Sequence, residues 1–439
     1  ARVVGAEHVG DAAWGAGPGA RRVAVVEPGS LEEACEVLRA AEREGWAVVP
    51  AGACAWLDAG RPPRRADVIL KTTRMTRLVE HEPADLVATA EAGMTFADFN
   101  GRAGRAGQWL PLDPPRADAA TLGGVVATGA CGPQSAGYGL PRSYVLGMKV
   151  ALAGGRLIRA GGRVVKNVAG YDLCKLFTGS HGTLGVVLEV TFKLRPRPRR
   201  EATLVARSAD WGELAGAARA LASSQLLPVA VELLSPRAAE GVGLTALGEA
   251  GASLFVAARF AGAGATVEHQ LARAAELLCE HAKRADVSRL DDDDEVWSGL
   301  SRQHAAGAAA GLVWRASVPP TALGALLALL PETYGDAGAL SWHAGAADGR
   351  LRVFEPEAAA GAGARGLDAA ARLGRLREAA RRSGGSLVVE RSAPELRESF
   401  DAWGLSESAA LLMGRVKSRL DPRDTFSPGR YEFGPAGST

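Results

Sequence analysis

The run Gly179-Ser180-His181-Gly182-Thr183-Leu184-Gly185 carries the clearest chemical signal in the chain. Glycines at this density let backbone N–H groups approach an anion where side chains would stand in the way. Two other stretches repeat the theme, Pro50-Ala51-Gly52-Ala53-Cys54-Ala55 and Thr121-Leu122-Gly123-Gly124-Val125-Val126-Ala127-Thr128-Gly129. The adjacent Gly123 and Gly124 beside an apolar run would also allow close approach to a flat ring. No GxxxxGK(S/T) occurs, and no GxGxxG lies between a strand and a long helix, which excludes the two common nucleotide fingerprints. Taken from the residues alone, an ordinary βα turn is the alternative for the stretch at Pro50, and glycines for close helix–sheet packing the alternative for the stretch at Thr121.

Other reactive groups are sparse. His304 and His343 are isolated, and Asp291-Asp292-Asp293-Asp294-Glu295 lacks the spacing of a calcium loop and reads as a solvated turn. The five cysteines are odd in number and scattered, with no CxxC and no zinc or iron–sulfur spacing, so packed, reduced thiols are expected. A formal charge of +2 from 51 basic and 49 acidic residues argues against a nucleic-acid binder. No apolar run reaches the roughly 18 residues that span a bilayer, so no transmembrane segment is expected. The N-terminus lacks a signal-peptide pattern, so the expected location is the cytosol, with any inner-membrane attachment made through partners.

The elements that must position these groups are partly legible. At 439 residues the chain is too long for one core. Ser30-Leu31-Glu32-Glu33 is a capping box, followed by Leu31, Ala34, Val37, Leu38 and Ala41 on one helical face. Ala47-Val48-Val49 is a strand feeding the first Gly-containing turn, and Thr95 caps a helix reaching Gly104. Val186 to Leu194, rich in β-branched residues, reads as a buried strand. Pro196-Arg197-Pro198-Arg199-Arg200 is the clearest boundary, and beyond it Glu201 to Gly385 alternates apolar strands with Ala-rich helices, an α+β pattern. A helix from Leu412 ends at Asp421-Pro422.

The run from Lys166 to Pro196, KNVAGYDLCKLFTGSHGTLGVVLEVTFKLRP, resembles the FAD-binding core of the vanillyl-alcohol oxidase type of flavoproteins. Within that superfamily it is most similar to the second, shorter flavin subunits of bacterial glycolate oxidases. The resemblance implies an α+β chain in three parts. Residues 1–198 would form a PCMH-type FAD-binding domain of two α/β subdomains, and 199–385 an α+β cap. Residues 386–439 would return to the FAD domain. It also implies non-covalent FAD held by Pro50 to Ala55, Pro114, Thr121 to Gly124, Ala127 to Gly129, Arg142, Lys166, Asn167 and Gly170 to Asp172, and by Gly179, Ser180, Gly182, Thr183, Gly185, Val186, Val187 and Ser427. Three departures stand out. Gly52-Ala53-Cys54 replaces the family's three glycines, Arg142-Ser143 replaces Arg-Asp, and Ser427 replaces an Asn before proline.

The chemistry implied is oxidation of a 2-hydroxy acid, glycolate or D-lactate, in which a base takes the hydroxyl proton and cations hold the carboxylate. The metal-holding GEHG-type motif of the large catalytic subunits is absent, and no metal is expected. Arg315, His343 and Arg391 are the candidate catalytic residues. With no cluster ligands of its own, the chain would be a flavin subunit working beside a larger FAD subunit and an iron–sulfur subunit. A self-sufficient FAD oxidoreductase acting on another hydroxy acid or alcohol, and a non-catalytic FAD-containing scaffold, are the alternatives.

Overall fold

The computed structural model describes residues 2–14, 21–163, 170–244, 254–306, 310–335, 340–356 and 364–431. Lys166 and Asn167 of the expected site lie outside the described residues. The chain divides into two units, the first made of Ala1–Cys131, Leu140–Arg197 and Leu405–Thr439, the second of Gly132–Gly139 and Pro198–Gly404.

In the first unit, β1 (Val9–Trp14), β2 (Arg21–Val26), β3 (Val48–Ala51) and β4 (Val68–Lys71) form a sheet in the order β1-β2-β4-β3. The helix Leu31–Glu44 connects β2 to β3 and buries Ala34, Cys35, Val37, Leu38 and Ala41. Ser30 Oγ accepts from the Glu33 amide at 3.1 Å, while the Glu33 carboxylate accepts from the Gly29 amide at 2.8 Å, one residue before the partner of a standard capping box. Both β2 and β3 run parallel to β4, so β3 ends at Ala51 on the side of the sheet where open α/β folds bind ligands.

A second sheet is antiparallel, with β5 (Leu78–Glu82), β6 (Val87–Glu91), β8 (Val145–Ala151), β9 (Leu157–Gly161) and β10 (Val186–Lys193) in the order β5-β6-β10-β8-β9. A short pair, β7 (Gln108–Trp109) and β11 (Arg195–Pro196), lies apart from it. The helix Phe96–Gly104 starts where the sequence expects it, with Thr95 Oγ1 accepting from the Asp98 amide at 3.2 Å. Strand β10 is buried on both faces. Val186 and Leu188 pack in the core of the first sheet and its helix, whereas Val187, Val190 and Phe192 pack in the core of the second. The tail of this unit carries the helix Glu407–Leu420 and then lies along β3. Val48 donates to the Thr425 carbonyl at 2.8 Å, and Ser427 donates to the Val48 carbonyl at 2.9 Å.

The second unit is built on one antiparallel sheet of β12 (Arg200–Ser208), β13 (Ala230–Leu234), β14 (Leu254–Gly262), β15 (Asp286–Leu290), β16 (Ala310–Ser317), β17 (Ser341–Gly345), β18 (Arg350–Pro356) and β19 (Ser386–Arg391). The order β15-β12-β14-β13-β17-β18-β16-β19 is a split βαββαβ motif meeting a second copy of itself, strand two against strand two. Helices Trp211–Ala222 and Gly264–His281 serve the first copy, Leu323–Tyr334 and Ala364–Arg382 the second. Val231, Leu233, Trp314, Ala316, Trp342, Leu351 and Val353 point to the main helical core, as strand alternation requires.

Two expectations change here. The segment from Ser386 was expected to return to the first unit, but β19 pairs with β16 in the second, and the first unit resumes at Leu405. The acidic run is not a solvated turn throughout. Asp293 is buried, accepting from Arg259 at 2.8 and 3.1 Å and from Thr203 at 2.6 Å, because a buried guanidinium needs a matching carboxylate.

Candidate functional site

Three chain segments converge in the first unit around an open cleft. The first segment is the turn after β3, and Pro50, Ala51, Gly52, Ala53, Cys54 and Ala55 all line the cleft. Among the described residues, nothing accepts a hydrogen bond from the amides of Gly52, Ala53, Cys54 or Ala55. Cys54 holds φ 61°, the left-handed region that the replaced family glycine would have entered without strain.

The second segment is a short helix, Leu122–Thr128, whose first turn is capped by Thr121 Oγ1 accepting from the Gly124 amide at 3.2 Å. Helical spacing turns Leu122, Val125 and Val126 into the core and leaves Thr121, Gly123, Gly124, Ala127 and Thr128 at the cleft. Gly124 packs closely: a Cβ there would stand 3.1 Å from Thr121 Oγ1 and 3.3 Å from the Trp56 ring.

The third segment is the loop into β10. His181, Gly182, Gly185, Val186 and Val187 line the cleft. Gly182 has φ +67° and a Cβ on it would lie 3.2 Å from Pro50, so this glycine lets the first and third segments touch.

Several expected residues are not brought to the cleft among the described residues. Pro114 and Leu122 are buried elsewhere, and Gly129 ends the short helix at φ 64°. Arg142 is exposed and offers its carbonyl to Lys175 Nζ. Gly170 and Tyr171 face solvent, Tyr171 at 96% exposure, and Asp172 is the N-cap of Leu173–Phe177. Gly179, Ser180 and Thr183 spend their backbone groups shaping the loop, with Thr183 Oγ1 donating to the Ser180 carbonyl at 2.7 Å. Ser427 is buried at φ 45°, tied to β3 by its amide.

The sequence reading missed Trp56, Leu57, Thr72, His181 and Arg430, all of which line the cleft. Arg430 is buried and donates to the carbonyls of Ala59 at 2.6 Å and Leu57 at 3.0 Å. Its only sequence signal was its place in the tail expected to return. The next residue, Tyr431, packs edge-on against His181 with ring centroids 6.2 Å apart.

These features fit FAD. Free amides of the first turn and the Arg430 guanidinium suit a diphosphate, and Trp56, Ala127, Val186 and Val187 offer apolar surface for an aromatic ring system.

A second cluster lies wholly within the second unit. Alternation along four strands puts Glu232 (β13), Arg315 (β16), His343 (β17), Arg350 and Arg352 (β18) on the sheet face away from the main helical core. His343 stands opposite Arg352, and Arg352 stands opposite Arg315. Two arginines in register would repel, and Glu390 offsets this by accepting from Arg315 Nε at 2.9 Å and from Arg352 Nε at 2.9 Å. Arg350 is held by Asp348 at 2.8 Å and by the Gly132 carbonyl at 2.8 Å. Together with Gly132 and Pro133, the five residues line a small cavity, about the size of one water. Of the three candidate catalytic residues, Arg315 and His343 meet there, and Arg391 does not line it.

All five cysteines are free. Cys35 and Cys174 are buried as expected, but Cys54 and Cys279 are exposed. Burial pushes the Cys174 thiol up to about 11. Among the described residues no group of three or more His, Cys, Asp or Glu side chains could hold a metal ion, and no helix is long and apolar enough to cross a membrane.

Residues 23–161 match the family described as FAD binding domain, and residues 197–431, more than half of the chain, match FAD linked oxidases, C-terminal domain. The chain is 26% identical to glycolate oxidase subunit GlcD of Bacillus subtilis over 93% of its own length and 88% of the relative's. It is 29% identical to a D-2-hydroxyglutarate dehydrogenase of Xanthomonas citri over 93% of this chain and 89% of that one. Glycolate oxidase subunit GlcE of Escherichia coli is 43% identical, over 29% of this chain and 37% of GlcE. Among solved structures, p-cresol methylhydroxylase superposes with a TM-score of 0.72 over 93% of this chain and 88% of that one, at 16% identity, which speaks to the fold alone.

Proposed function

Since the chain belongs to the FAD-linked oxidases and FAD is its cofactor, we propose that it oxidises a small 2-hydroxy acid to the 2-oxo acid as a flavin subunit of a glycolate oxidase-like complex. The observation that carries the reading is the cleft whose first turn keeps four amides without acceptors among the described residues, with the buried Arg430 on its wall. When bound, FAD supplies a two-electron acceptor.

The chain's own residues do the rest. The amides of Gly52 to Ala55 and the Arg430 guanidinium hold the diphosphate, and Trp56, Val186 and Val187 exclude water from the ring. In the second unit, Arg315 would supply a cation for a carboxylate and His343 the base, with Arg391, which does not line that cavity, a further candidate.

The relatives named as glycolate oxidase subunits support membership of a multi-subunit enzyme. Full-length similarity runs to GlcD, whereas GlcE is matched over one segment, so the small-subunit reading rests on that segment and on the missing GEHG-type motif. An iron–sulfur partner is proposed because the cysteines of this chain are isolated from one another.

The test is anaerobic titration of the FAD-loaded chain with glycolate and with D-lactate, following flavin absorbance, alone and with a co-expressed iron–sulfur subunit. Bleaching by a hydroxy acid, with electrons reaching the partner only in the complex, is expected. A chain that takes up no FAD on reconstitution would end the proposal.

A further inference from the structure

His181 holds φ 51°, in the left-handed region where a side chain other than glycine is strained. Its amide donates to the Ala127 carbonyl at 2.7 Å, which ties this conformation to the short helix Leu122–Thr128. The residue lines the cleft, and its ring packs edge-on against Tyr431, whose hydroxyl donates to the Gly179 carbonyl at 3.4 Å. Strain that neighbours hold in place at a ligand cleft points to a use for the side chain. We propose that His181 is a binding residue for the FAD diphosphate and acts as the imidazolium, so that FAD and one proton are taken up together. This assignment rests on the placement of the diphosphate given above.

The charges around the cleft single out this residue. Among the described residues that line it, the ionisable ones are Cys54 on the turn after β3, His181 on the loop into β10 and Arg430 in the tail. Arg430 stays a cation at any ordinary pH. Desolvation by the surrounding protein pushes the Cys54 thiol up, exposed though the residue is, and burial pushes the Tyr431 phenol up, so both stay neutral. Lys71 and Glu27, which act on Cys54, pair with each other at 2.7 Å. Lys417, which reaches the Thr183 carbonyl of the same loop, is matched by Asp421 at 2.5 Å and Asp424 at 3.1 Å. Of the described groups that line the cleft, His181 is therefore the one whose side-chain type ordinarily titrates between about pH 5 and 8.

A diphosphate is doubly charged, and Arg430 is the one permanent cation among the described residues lining the cleft. An imidazolium at position 181 supplies the second positive charge, through a charge-assisted bond to a phosphate oxygen that a neutral imidazole cannot match. Without FAD, an imidazolium and the Arg430 guanidinium in one cleft repel, which favours the neutral ring. FAD therefore binds the protonated chain more tightly, and its affinity rises as pH falls. The rise levels off at lower pH, once the chain carries this proton with or without FAD.

The experiment titrates FAD calorimetrically into the full chain freed of flavin, at fixed ionic strength and in two buffers that differ in protonation enthalpy. The parent is expected to bind FAD about tenfold more tightly at about pH 6 than at about pH 8, with net proton uptake between them. Asparagine tolerates the left-handed backbone and never carries a charge. His181→Asn is therefore expected to match the parent within a few-fold at the higher pH and to lose both the gain at the lower pH and the proton uptake. The two-buffer measurement on the parent tests the proton uptake even if the variant does not fold. A parent affinity that is flat across this range, or a gain that His181→Asn retains, would overturn the inference and leave FAD as the cofactor. A full chain that takes up no FAD at any pH would sink the placement of the diphosphate along with it.

Discussion

Lys417 Nζ donates to the Thr183 carbonyl at 2.9 Å across a sequence separation of 234, and so ties the returning tail to the Gly-rich loop. The same ammonium donates to the Phe426 carbonyl at 2.8 Å and to Asp421 at 2.5 Å, with the Asp421 carboxylate fully buried. Replacing Lys417 by Met would leave a buried carboxylate without its cation and two carbonyls without a donor. We expect Lys417→Met to lower unfolding free energy by about 3 kcal/mol, read from the urea midpoint. The loss should come with weaker FAD retention, because Arg430 reaches the cleft from this tail. The double variant with Asp421→Asn should cost less than the two single changes added together.

Cys54 sits at φ 61° in the turn that faces the cleft. A non-glycine residue there costs about 1–2 kcal/mol, and glycine's greater freedom when unfolded returns about 0.5–1 kcal/mol of that. Cys54→Gly is therefore expected to stabilise the chain by about 1 kcal/mol in thermal melts. Cys54→Val should do the reverse, since a branched side chain tolerates this backbone least. No stabilisation by glycine would mean the turn relaxes out of the left-handed region.

Gly182 has both a positive φ and a Cβ direction only 3.2 Å from Pro50. Valine would strain the backbone and push apart the two loops that build the cleft. On the usual scale of about 1–3 kcal/mol for such strain, Gly182→Val should weaken FAD by about tenfold, seen as a lower ratio of flavin to protein absorbance. Full flavin content in that variant would show that this loop does not hold the cofactor.

Tyr334 donates to Glu355 at 2.5 Å beside the Trp314 indole, and Tyr431 is buried against His181. Burial, reinforced at Tyr334 by Glu355, raises both phenols above their ordinary value. The folded state therefore keeps protons that the unfolded chain releases above about pH 10. The stability held by these phenols is complete below that pH and falls above it, by about 1.4 kcal/mol per pH unit for each tyrosine that stays protonated. Urea midpoints in alkaline buffers should show the decline, and Tyr334→Phe should make it shallower.

Short-range rules recovered what local chemistry dictates. Ser30 and Thr95 cap their helices as their side chains require, and the apolar run from Val186 forms a strand buried on both faces. The three Gly-bearing turns were visible because a chain that must bend sharply or approach another chain closely needs small residues. The strand from Ser386 was assigned to the wrong unit because its alternation gives the face it buries and not the sheet it joins.

What the sequence by itself determined is the set of turns, caps and apolar faces, together with the resemblance carried by one continuous run. Tertiary structure alone decided which of those turns meet around one cleft and that Arg430 joins them from the far end of the chain. It alone set Glu232 beside His343, 111 residues away, and Arg315 in register with Arg352. Strand pairing is cross-chain hydrogen bonding, and register between distant strands depends on how two whole faces bury their apolar residues. That information is spread over the sheet and is absent from any single stretch.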